Sequence, residues 1–306
     1  VQRLDRNVPV FSGEKAYYFV DDLPKIVEDD HGQRILQLGA SLYSYDMTTN
    51  KENKLCHVDG GSVASAYGWL LYNDSLYFIL NTFSREYDEN GNITTYATVG
   101  GSMHLCAINL SDMKMIDYGQ LYDVSTLKKY YPDAPYSAEC YMYGIFDDKI
   151  YFTVSCRESI DKESMDIRLV NYVTYFDLKT QTYCGEPADF SSFEHGRIRW
   201  LSKDYLAITS EHQVSVKEKG KTDSIVIKND LFNEFSNISV FDDKLFCEGK
   251  VFDLNTLAVT DPDALKDKKV LAKYGDSYIY SYFDNEDHMD HYGKMSAAEI
   301  FGGDTP

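Results

Sequence analysis

The sequence predicts an all-β fold, a β-propeller of six four-stranded antiparallel blades, with a seven-bladed ring as the alternative. Three observations carry this prediction. A short motif with an aspartate-containing turn recurs along the chain, a second turn motif follows several of its copies, and aromatic residues that favour strands are abundant. The chain of 306 residues holds 26 Tyr and 16 Phe. Repeated four-stranded meanders are typical of propellers.

The first motif consists of an apolar run, a polar pair that ends in Asp, and an aromatic-rich run. Its copies are LYNDSLYFIL (71–80), FDDKIYF (146–152), LSKDYLAITS (201–210), FDDKLFC (241–247) and KYGDSYIYSYF (273–283). Two apolar runs joined by about two residues of this type predict a β-hairpin, because Asn and Asp tolerate the left-handed conformations of tight turns. We name its strands A and B. The paired aspartates are therefore interpreted as turn residues and not as a site.

The second motif has an apolar residue, Asp or Asn, Leu or Met, any residue, and then usually Thr or Asp. It occurs as SYDMTTN (44–50), AINLSDM (107–113), YFDLKTQ (175–181) and VFDLNTL (251–257). Each copy ends one strand-like run and precedes another, which predicts a second hairpin with strands C and D. One unit is thus a meander in the order A-B-C-D.

Counting such units divides the single domain, residues 1–306, into six blades. They lie at about 7–58, 63–122, 137–188, 195–230, 237–260 and 268–303. The last unit is short of one strand, and VQRLDR at residues 1–6 is expected to supply it. Such closure removes the exposed sheet edges that favour aggregation.

The combined pattern resembles the six-bladed propellers of bacterial surface proteins, which are similar to the low-density-lipoprotein-receptor type. The Tyr-Trp-Thr-Asp signature of the receptor type is missing from this sequence. The resemblance implies the fold and a location outside the bacterial cytoplasm, and it supplies no catalytic residues.

Composition restricts the partners. A formal charge of −19 opposes binding to nucleic-acid phosphates and anionic lipids, and suits cations, neutral sugars or basic partners. No apolar run reaches the roughly 20 residues of a membrane span. The chain starts with Val, so we expect that a signal peptide or a lipoprotein signal has been removed and that the protein is extracellular or at the cell surface.

Chemistry-bearing motifs are scarce. The sequence has no Gly-x-Ser-x-Gly elbow, His-Glu-x-x-His helix or phosphate-binding glycine loop, so no cofactor is expected. Its six cysteines form no Cys-x-x-Cys pair, which favours buried thiols, although an even number leaves disulfides open. The oligomeric state is not predicted.

The meander itself indicates where a ligand binds. Its A–B and C–D turns lie at one end of a blade, and its B–C and D–A connections lie at the other. The long segments are B–C loops at about 21–34, 82–101, 157–168 and 284–293, with a D–A connection at 123–136. Functional residues concentrate on loops held by a rigid scaffold, so the B–C end is the expected binding surface.

Aromatic rings, arginines and one carboxylate are predicted to gather there. The candidates are Tyr67, Trp69, Arg85, Tyr87, Tyr136, Glu139, Tyr141, Arg157 and Arg197. Rings beside polar groups suit a saccharide or a peptide, although about half of such aromatics pack between blades instead. We expect a non-catalytic binding propeller. The alternative is a carbohydrate hydrolase, which needs two carboxyl groups roughly 5–9 Å apart.

One loop, DNEDHMDH, is a candidate metal site. It brings together Asp284, Glu286, Asp287, His288, Asp290 and His291. Calcium takes carboxylates and carbonyls, whereas zinc takes histidines. The EF-hand pattern fails because no Gly occupies its sixth position, so the alternative is a solvated acidic loop.

Overall fold

A computed structural model describes residues 9–23, 25–28, 34–63, 68–82, 102–121, 139–161, 166–184, 197–233 and 236–302. Nearly all regular structure in these residues is strand, and it forms six meander sheets and one separate hairpin. The predicted all-β six-bladed propeller is confirmed, and the alternative with seven blades is wrong. The predicted closing strand at 1–6 lies outside the described residues.

The chain divides into two compact units. Among the described residues, the first unit contains those of 7–142 and 149–188, and the second contains those of 143–148 and 189–306. Blades 1 and 2 and most of blade 3 belong to the first unit, whereas blades 4, 5 and 6 belong to the second.

The first three blades are built from fifteen strands. Their bounds are β1 (Val10–Ser12), β2 (Lys15–Asp21), β3 (Lys25–Glu28), β4 (Arg34–Gln37), β5 (Gly39–Asp46), β6 (Lys51–Asp59), β7 (Gly61–Ser62), β8 (Trp69–Tyr72), β9 (Ser75–Thr82), β10 (Ser102–Asn109), β11 (Met115–Gln120), β12 (Glu139–Phe146), β13 (Lys149–Asp161), β14 (Asp166–Asp177) and β15 (Thr182–Tyr183). Blade 1 has the order β1-β2-β5-β6, and β3 and β4 form a separate hairpin inserted between its strands B and C. Blade 2 consists of β8 to β11, with β7 paired to the end of β9, and blade 3 of β12 to β15.

The last three blades are simpler. Their elements are β16 (Arg197–Leu201), β17 (Tyr205–Ser210), β18 (Gln213–Glu218), β19 (Ser224–Lys228), β20 (Ile238–Phe241), β21 (Lys244–Cys247), β22 (Lys250–Asp253), β23 (Val259–Thr260), a 3-10 helix (Asp263–Leu265), β24 (Lys269–Tyr274), β25 (Ser277–Asp284), β26 (Met289–Ser296) and α1 (Ala297–Phe301). Blades 4 and 5 have four strands each in sequence order, and blade 6 has three in the described residues.

The A–B turns show why the first motif needs Asn and Asp. In blades 2, 3 and 5 both central turn residues have φ between 46° and 58°. These residues are Asn73 and Asp74, Asp147 and Asp148, and Asp242 and Asp243. Positive φ at both positions defines the type I′ hairpin turn, whose twist matches that of the flanking strands. The motif is therefore a turn signal.

The second motif forms a C–D turn in which its Asp or Asn side chain accepts backbone N–H groups. In blade 5, for example, Asp253 Oδ1 accepts from the N–H groups of Asn255 (2.9 Å) and Thr256 (2.8 Å). Asp46, Asn109 and Asp177 make the equivalent bonds in blades 1 to 3. The residue four positions on has positive φ in each case, which closes the turn.

A hydrogen bond joins the A–B turn to the residue after strand C in each of five blades, and we call it the turn-to-turn bond. The backbone N–H that follows strand C donates to the carbonyl of the second A–B turn residue. Its donor–acceptor pairs are Met47–Glu14, Leu110–Asp74, Lys219–Asp204, Leu254–Asp243 and Ala297–Asp276, at 2.7–2.9 Å. This repeated bond places the A–B and C–D turns at the same end of each blade.

The blades of one unit pack through alternating side chains of their strands. In blade 5, Leu245 joins the cluster shared with blade 4, and the next residue, Phe246, joins the cluster shared with blade 6. In the first unit the rings of Phe19 and Phe78 lie 4.8 Å apart between blades 1 and 2. This period of two is expected of a strand buried on both faces.

Aspartates of the A–B turns also bind the neighbouring blade. Tyr205 of blade 4 donates its hydroxyl to Asp243 Oδ1 of blade 5 at 2.6 Å, and Lys273 of blade 6 forms an ion pair with Asp242. Lys219 lies 3.4 Å from Asp147. The turn residues therefore have a second role, because they join adjacent blades at this end.

Two predicted B–C loops are largely strand. Residues 157–161 and 166–168 belong to β13 and β14, where Arg157 pairs with Leu169. In the segment 284–293, β25 ends at Asp284 and β26 begins at Met289, so only four residues form the turn. Strand pairing extends both hairpins because it satisfies backbone groups that a loop would leave to water.

Among the cysteines with described side chains, all five are free thiols, and burial raises the pKa of Cys247 to about 12. None of the helices in the described part of the chain has the length and hydrophobicity that crossing a membrane requires.

Candidate ligand-binding site

A cleft of about 440 Å³ lies between blades 5 and 6, within the second unit. It is formed at the B–C ends of both blades. Its lining comes from the start of β20, the turn after β21, the segment that leads into β24, and the distal part of the β25–β26 hairpin; the residues are Asn237, Ile238, Ser239, Phe246, Cys247, Glu248, Gly249, Lys250, Leu265, Asp267, Lys268, Lys269, Val270, Ser281, Tyr282, Phe283, Asn285 and Asp290. Its volume lies in the range of small-molecule sites, which is roughly 300–1,000 Å³.

The cleft results from unequal strand lengths. After equivalent A–B turns, β21 has four residues and β25 has eight. At a rise of about 3.3 Å per residue, strand B of blade 6 extends about 13 Å further. Blade 5 instead turns back at Glu248 and Gly249, both with positive φ. The end of blade 6 therefore overhangs a shorter neighbour, and the packed interface below it, which includes Phe246 and Val270, forms the floor.

Several polar groups of the cleft have no partner among the described residues. No hydrogen bond or ion pair occupies the side chains of Asn237, Ser239, Lys269 or Asn285, or the carboxylates of Glu248, Asp267 and Asp290. The other two lysines are engaged. Lys250 binds Asp261 at 2.6 Å, and Lys268 donates to the Ala264 carbonyl at 2.7 Å. The cleft thus offers a ligand both hydrogen-bond donors and hydrogen-bond acceptors.

Ser239 is the most deeply placed of these groups. It is only 2% exposed. Its neighbours in β20, Ile238 and Val240, belong to the cluster shared with blade 4, so alternation directs Ser239 towards blade 6 and the cleft. Ser239 lines the cleft, and its hydroxyl has no hydrogen-bond partner among the described residues. A buried hydroxyl without a protein partner favours a ligand or a water molecule that bonds to it.

Two aromatic side chains project from the overhang. Tyr282 is 37% exposed and Phe283 is 54% exposed. Tyr282 stacks on His291, with ring centroids 5.4 Å apart and planes at 25°. Exposed rings beside unpaired polar groups are the usual composition of a site for a ligand with one apolar face.

The predicted metal loop is the turn of this same hairpin. Ligand atoms of Asp284, Asp287 and His291 lie within 4.8 Å of one another. His291 Nε2 lies 2.7 Å from Asp287 Oδ2, while the Asp284 carboxylate accepts the Glu286 N–H. Three donors with one imidazole suit zinc better than calcium, which takes six to eight oxygens.

The other three residues of that loop are not part of the group. Glu286 and His288 are exposed, and Asp290 lines the cleft instead. His288 has φ of 57°, as the left-handed residue of the turn, and its ring lies 6.4 Å from that of Phe283.

None of the predicted ligand-binding residues whose side chains are described lines this cleft. Four predicted residues, Tyr67, Arg85, Tyr87 and Tyr136, are outside the described residues. Glu139, Arg157 and Arg197 lie in strands β12, β13 and β16, where the structure describes their backbone only. Tyr141 is half-buried in β12.

Trp69, the remaining candidate, is 8% exposed and packs against Phe19 at 5.6 Å between blades 1 and 2. Its indole N–H has no partner in the described part of the chain. The ring therefore contributes to the core between these two blades.

Blade 1 carries a second polar cluster at its B–C end, in the first unit. Asp22 binds His57 Nε2 at 2.5 Å and accepts the Ser41 hydroxyl at 3.0 Å, and these bonds hold the pKa of its carboxyl below the usual range, with His57 as the largest cause. Burial raises the pKa of the adjacent Asp21, which accepts the Val63 N–H at 3.1 Å. Two carboxyls shifted in opposite directions are a pattern found in acid–base pairs.

Sequence reasoning missed Asn237, Ser239 and Lys269 because none of them belongs to a motif. It missed Tyr282 because that residue was assigned to strand B of the repeated hairpin KYGDSYIYSYF. The usable signal was the spacing of the repeat. The fifth unit turns after FDDKLFC through Glu-Gly, whereas the sixth continues as SYIYSYFD. That difference in strand length predicts that strand B of the sixth blade extends beyond strand B of the fifth, which leaves a cleft between the two blades.

No protein-family model matches this chain, and no curated protein sequence matches it. Among solved structures, it is similar to α-L-arabinanase from Penicillium chrysogenum in complex with arabinobiose, with 11% identity and a TM-score of 0.42 over 96% of this chain and 75% of that one. The β-propeller domain of the Trilobed protease from Pyrococcus furiosus gives 8% identity and a TM-score of 0.36 over 97% of both chains. Oligogalacturonate lyase in complex with manganese gives 11% identity and a TM-score of 0.37 over 92% of this chain and 81% of that one. Similarity at this level carries no argument about function, and the assignment of the fold rests on the six sheets of the chain itself.

Proposed function

We propose that this protein is a non-catalytic binding propeller that holds a saccharide in the cleft between blades 5 and 6. The observation that carries the proposal is a ligand-sized cleft in which polar groups without protein partners lie beside the exposed ring of Tyr282. Rings stack on the apolar face of a sugar, and amides, carboxylates and hydroxyls bond its hydroxyl groups.

The mixture of polar groups favours a neutral saccharide over a peptide. Each sugar hydroxyl both donates and accepts, and the cleft offers donors such as Lys269, acceptors such as Asp290, and amides such as Asn237 that do both. An extended peptide binds best along an open strand edge. The lining instead comes from strand ends and turns.

Binding can be tested with a glycan array that carries neutral and acidic oligosaccharides, run beside a peptide array. We expect hits among neutral saccharides, confirmed by calorimetry. Tyr282→Ala should weaken binding about tenfold or more, because stacking and area burial of one ring contribute roughly 1.5 kcal/mol or more. Tyr274→Ala is the matched control, since Tyr274 is an exposed tyrosine beside the A–B turn of the same blade. Exclusive hits on peptides would contradict the saccharide assignment.

A hydrolase is the second candidate, and the pair Asp21 and Asp22 favours it. Asp21 and Asp22 are two carboxyl groups at a B–C end, one bonded to a backbone N–H and one to an imidazole, and a glycoside hydrolase would need them roughly 5–9 Å apart. Release of reducing ends from polysaccharides, lost in both Asp21→Asn and Asp22→Asn, would support catalysis. Absence of turnover with saccharides that bind the protein would remove this candidate.

We also propose that the protein acts outside the cytoplasm, as a bacterial surface propeller of the low-density-lipoprotein-receptor-like type. The acidic charge of −19 and the turn motifs support this proposal. Fractionation of cells that express the whole natural gene tests the location, and recovery in the cytoplasm alone would contradict it. A peptide or protein partner, which the sequence also allows, is the outcome of the array experiment that would replace the saccharide.

A further inference from the structure

The hairpin that carries the predicted metal loop is also the hairpin that carries the exposed rings of the cleft. Tyr282 and His291 are directly opposite each other in the β25–β26 ladder. Directly opposite residues on one face of an antiparallel pair have side chains in contact. Their rings stack at 5.4 Å and 25°, so one face of the Tyr282 ring is covered by the imidazole.

The imidazole is itself held in place. His291 Nε2 lies 2.7 Å from Asp287 Oδ2, and the other carboxylate oxygen of Asp287 accepts the Met289 N–H at 3.0 Å. Asp287 is thereby fixed to the turn backbone, His291 to Asp287, and Tyr282 to His291. A ring that is already oriented loses less conformational freedom on binding a ligand than a freely rotating one.

From this chain of contacts we propose that His291 and Asp287 are positioning residues, which hold Tyr282 as a stacking platform for the saccharide. The inference rests on the proposed function. It assigns the acidic turn a role that needs no metal ion, since the imidazole supports the ring by stacking and the carboxylate orients the imidazole.

Substitutions at position 291 separate this role from metal ligation. His291→Ala removes the ring beneath Tyr282, whereas His291→Phe keeps an aromatic ring that cannot ligate a metal or bond to Asp287. His212→Ala is the control, because His212 also lies in an exposed B–C turn, that of blade 4, beside Glu211 and Asp230.

The probes are neutral trisaccharides of glucose, galactose, xylose and arabinose, titrated by calorimetry in buffer with EDTA. We expect His291→Ala to weaken binding of the tightest trisaccharide roughly three- to tenfold, the cost of ordering one ring. His291→Phe should bind at a level between those of His291→Ala and the wild type, because the stacked pair persists but the bond to Asp287 is lost. His212→Ala should bind as the wild type does. Wild-type affinity in His291→Ala would overturn the proposal, and so would equal loss in His291→Phe and His291→Ala.

A measurement without ligand keeps the inference separate from the proposed function. The imidazole protons of His291 should resonate upfield, through the ring current of Tyr282, and the shift should vanish in Tyr282→Leu but persist with EDTA. An unshifted signal overturns the platform even if saccharides bind. If the shift is present and no trisaccharide binds the wild type, the stacked pair exists but the proposed saccharide function is wrong. The role of Tyr282 as a platform for a saccharide is then wrong as well.

Discussion

The two ends of blades 5 and 6 are built in opposite ways. At the A–B end, Asp242, Asp243 and Asp253 all bind cations, hydroxyls or backbone N–H groups. At the B–C end, Glu248 and Asp290 have no partner in the described residues, and a cleft replaces the packed interface. The same residue type thus stabilises the fold at one end and stays available to a ligand at the other.

The contrast indicates that residues that stabilise the fold and residues that bind a ligand lie at opposite ends of these two blades. Unpaired polar groups and exposed rings contribute little to folding, whereas paired turns and the core between blades contribute directly. Substitutions at the two ends should therefore produce separable effects, and the following experiments rank them from the largest effect to the smallest.

The largest effect is expected for Phe246→Ala, in the packed interface below the cleft. Phe246 is buried between blades, and its ring lies 5.3 Å from that of Tyr278. Truncation of a buried Phe costs about 3–5 kcal/mol. Phe283→Ala, at the exposed overhang, should change the free energy of unfolding by less than about 0.5 kcal/mol. Urea denaturation checks both, and similar costs for the two variants would remove the contrast.

An intermediate effect is expected for Tyr205→Phe, which deletes one hydroxyl at the A–B end. The hydroxyl donates to Asp243, and burial together with this carboxylate raises the pKa of Tyr205 well above its usual value. Loss of a hydrogen bond to a charged group costs about 1–2 kcal/mol when the group is partly exposed. Tyr274→Phe, an exposed tyrosine without such a partner, is the control. Thermal unfolding should distinguish the two variants.

A smaller effect is expected from acid at Asp253 of the same end. The Lys244 side chain, followed by backbone N–H groups of the turn, lowers the pKa of this carboxyl below its usual range. The carboxylate therefore stabilises the fold above the unfolded pKa of about 3.9, and this contribution is lost as pH falls through the lower folded value. Asp253→Asn should flatten the decline in stability below about pH 4. Asp267→Asn, in the unpaired set, should leave that slope unchanged.

The smallest effect is expected from metal ions at the turn of β25 and β26. With three donor groups, one of them an imidazole, we expect calcium to give no heat in calorimetry at millimolar concentration and zinc to give a weak signal. The zinc signal should disappear in His291→Phe. A strong calcium signal would contradict this expectation and would support the calcium site that the sequence analysis considered for the acidic loop.

The turns were predictable because their signal is local. Asp147 and Asp148 are type I′ turn residues by their own chemistry, and the sequence identified them as such. The inter-blade bond of Asp243 was not predictable, because Tyr205 lies 38 residues away and only packing brings the two together.

The candidate site was predictable only in part, for the same reason. Sequence assigned ligand binding to the B–C ends, where the cleft is found. Which polar groups lack a partner depends on every neighbour, however, so neither Ser239 nor Lys269 could be distinguished from other serines and lysines. Trp69 shows the converse, since an aromatic residue on strand A of blade 2 packs into the core as readily as it lines a site.

The turn-to-turn bond has a consequence for how such a chain tolerates insertion. It fastens strands A and B to the end of strand C at one extremity of a blade, as between Leu254 and Asp243. Residues added between strands B and C then lengthen the opposite extremity without breaking that bond, as the β3–β4 hairpin does in blade 1. Changes in length therefore accumulate at the B–C end of a blade, which conceals the repeat in the sequence and supplies that end with new surface on which recognition can evolve.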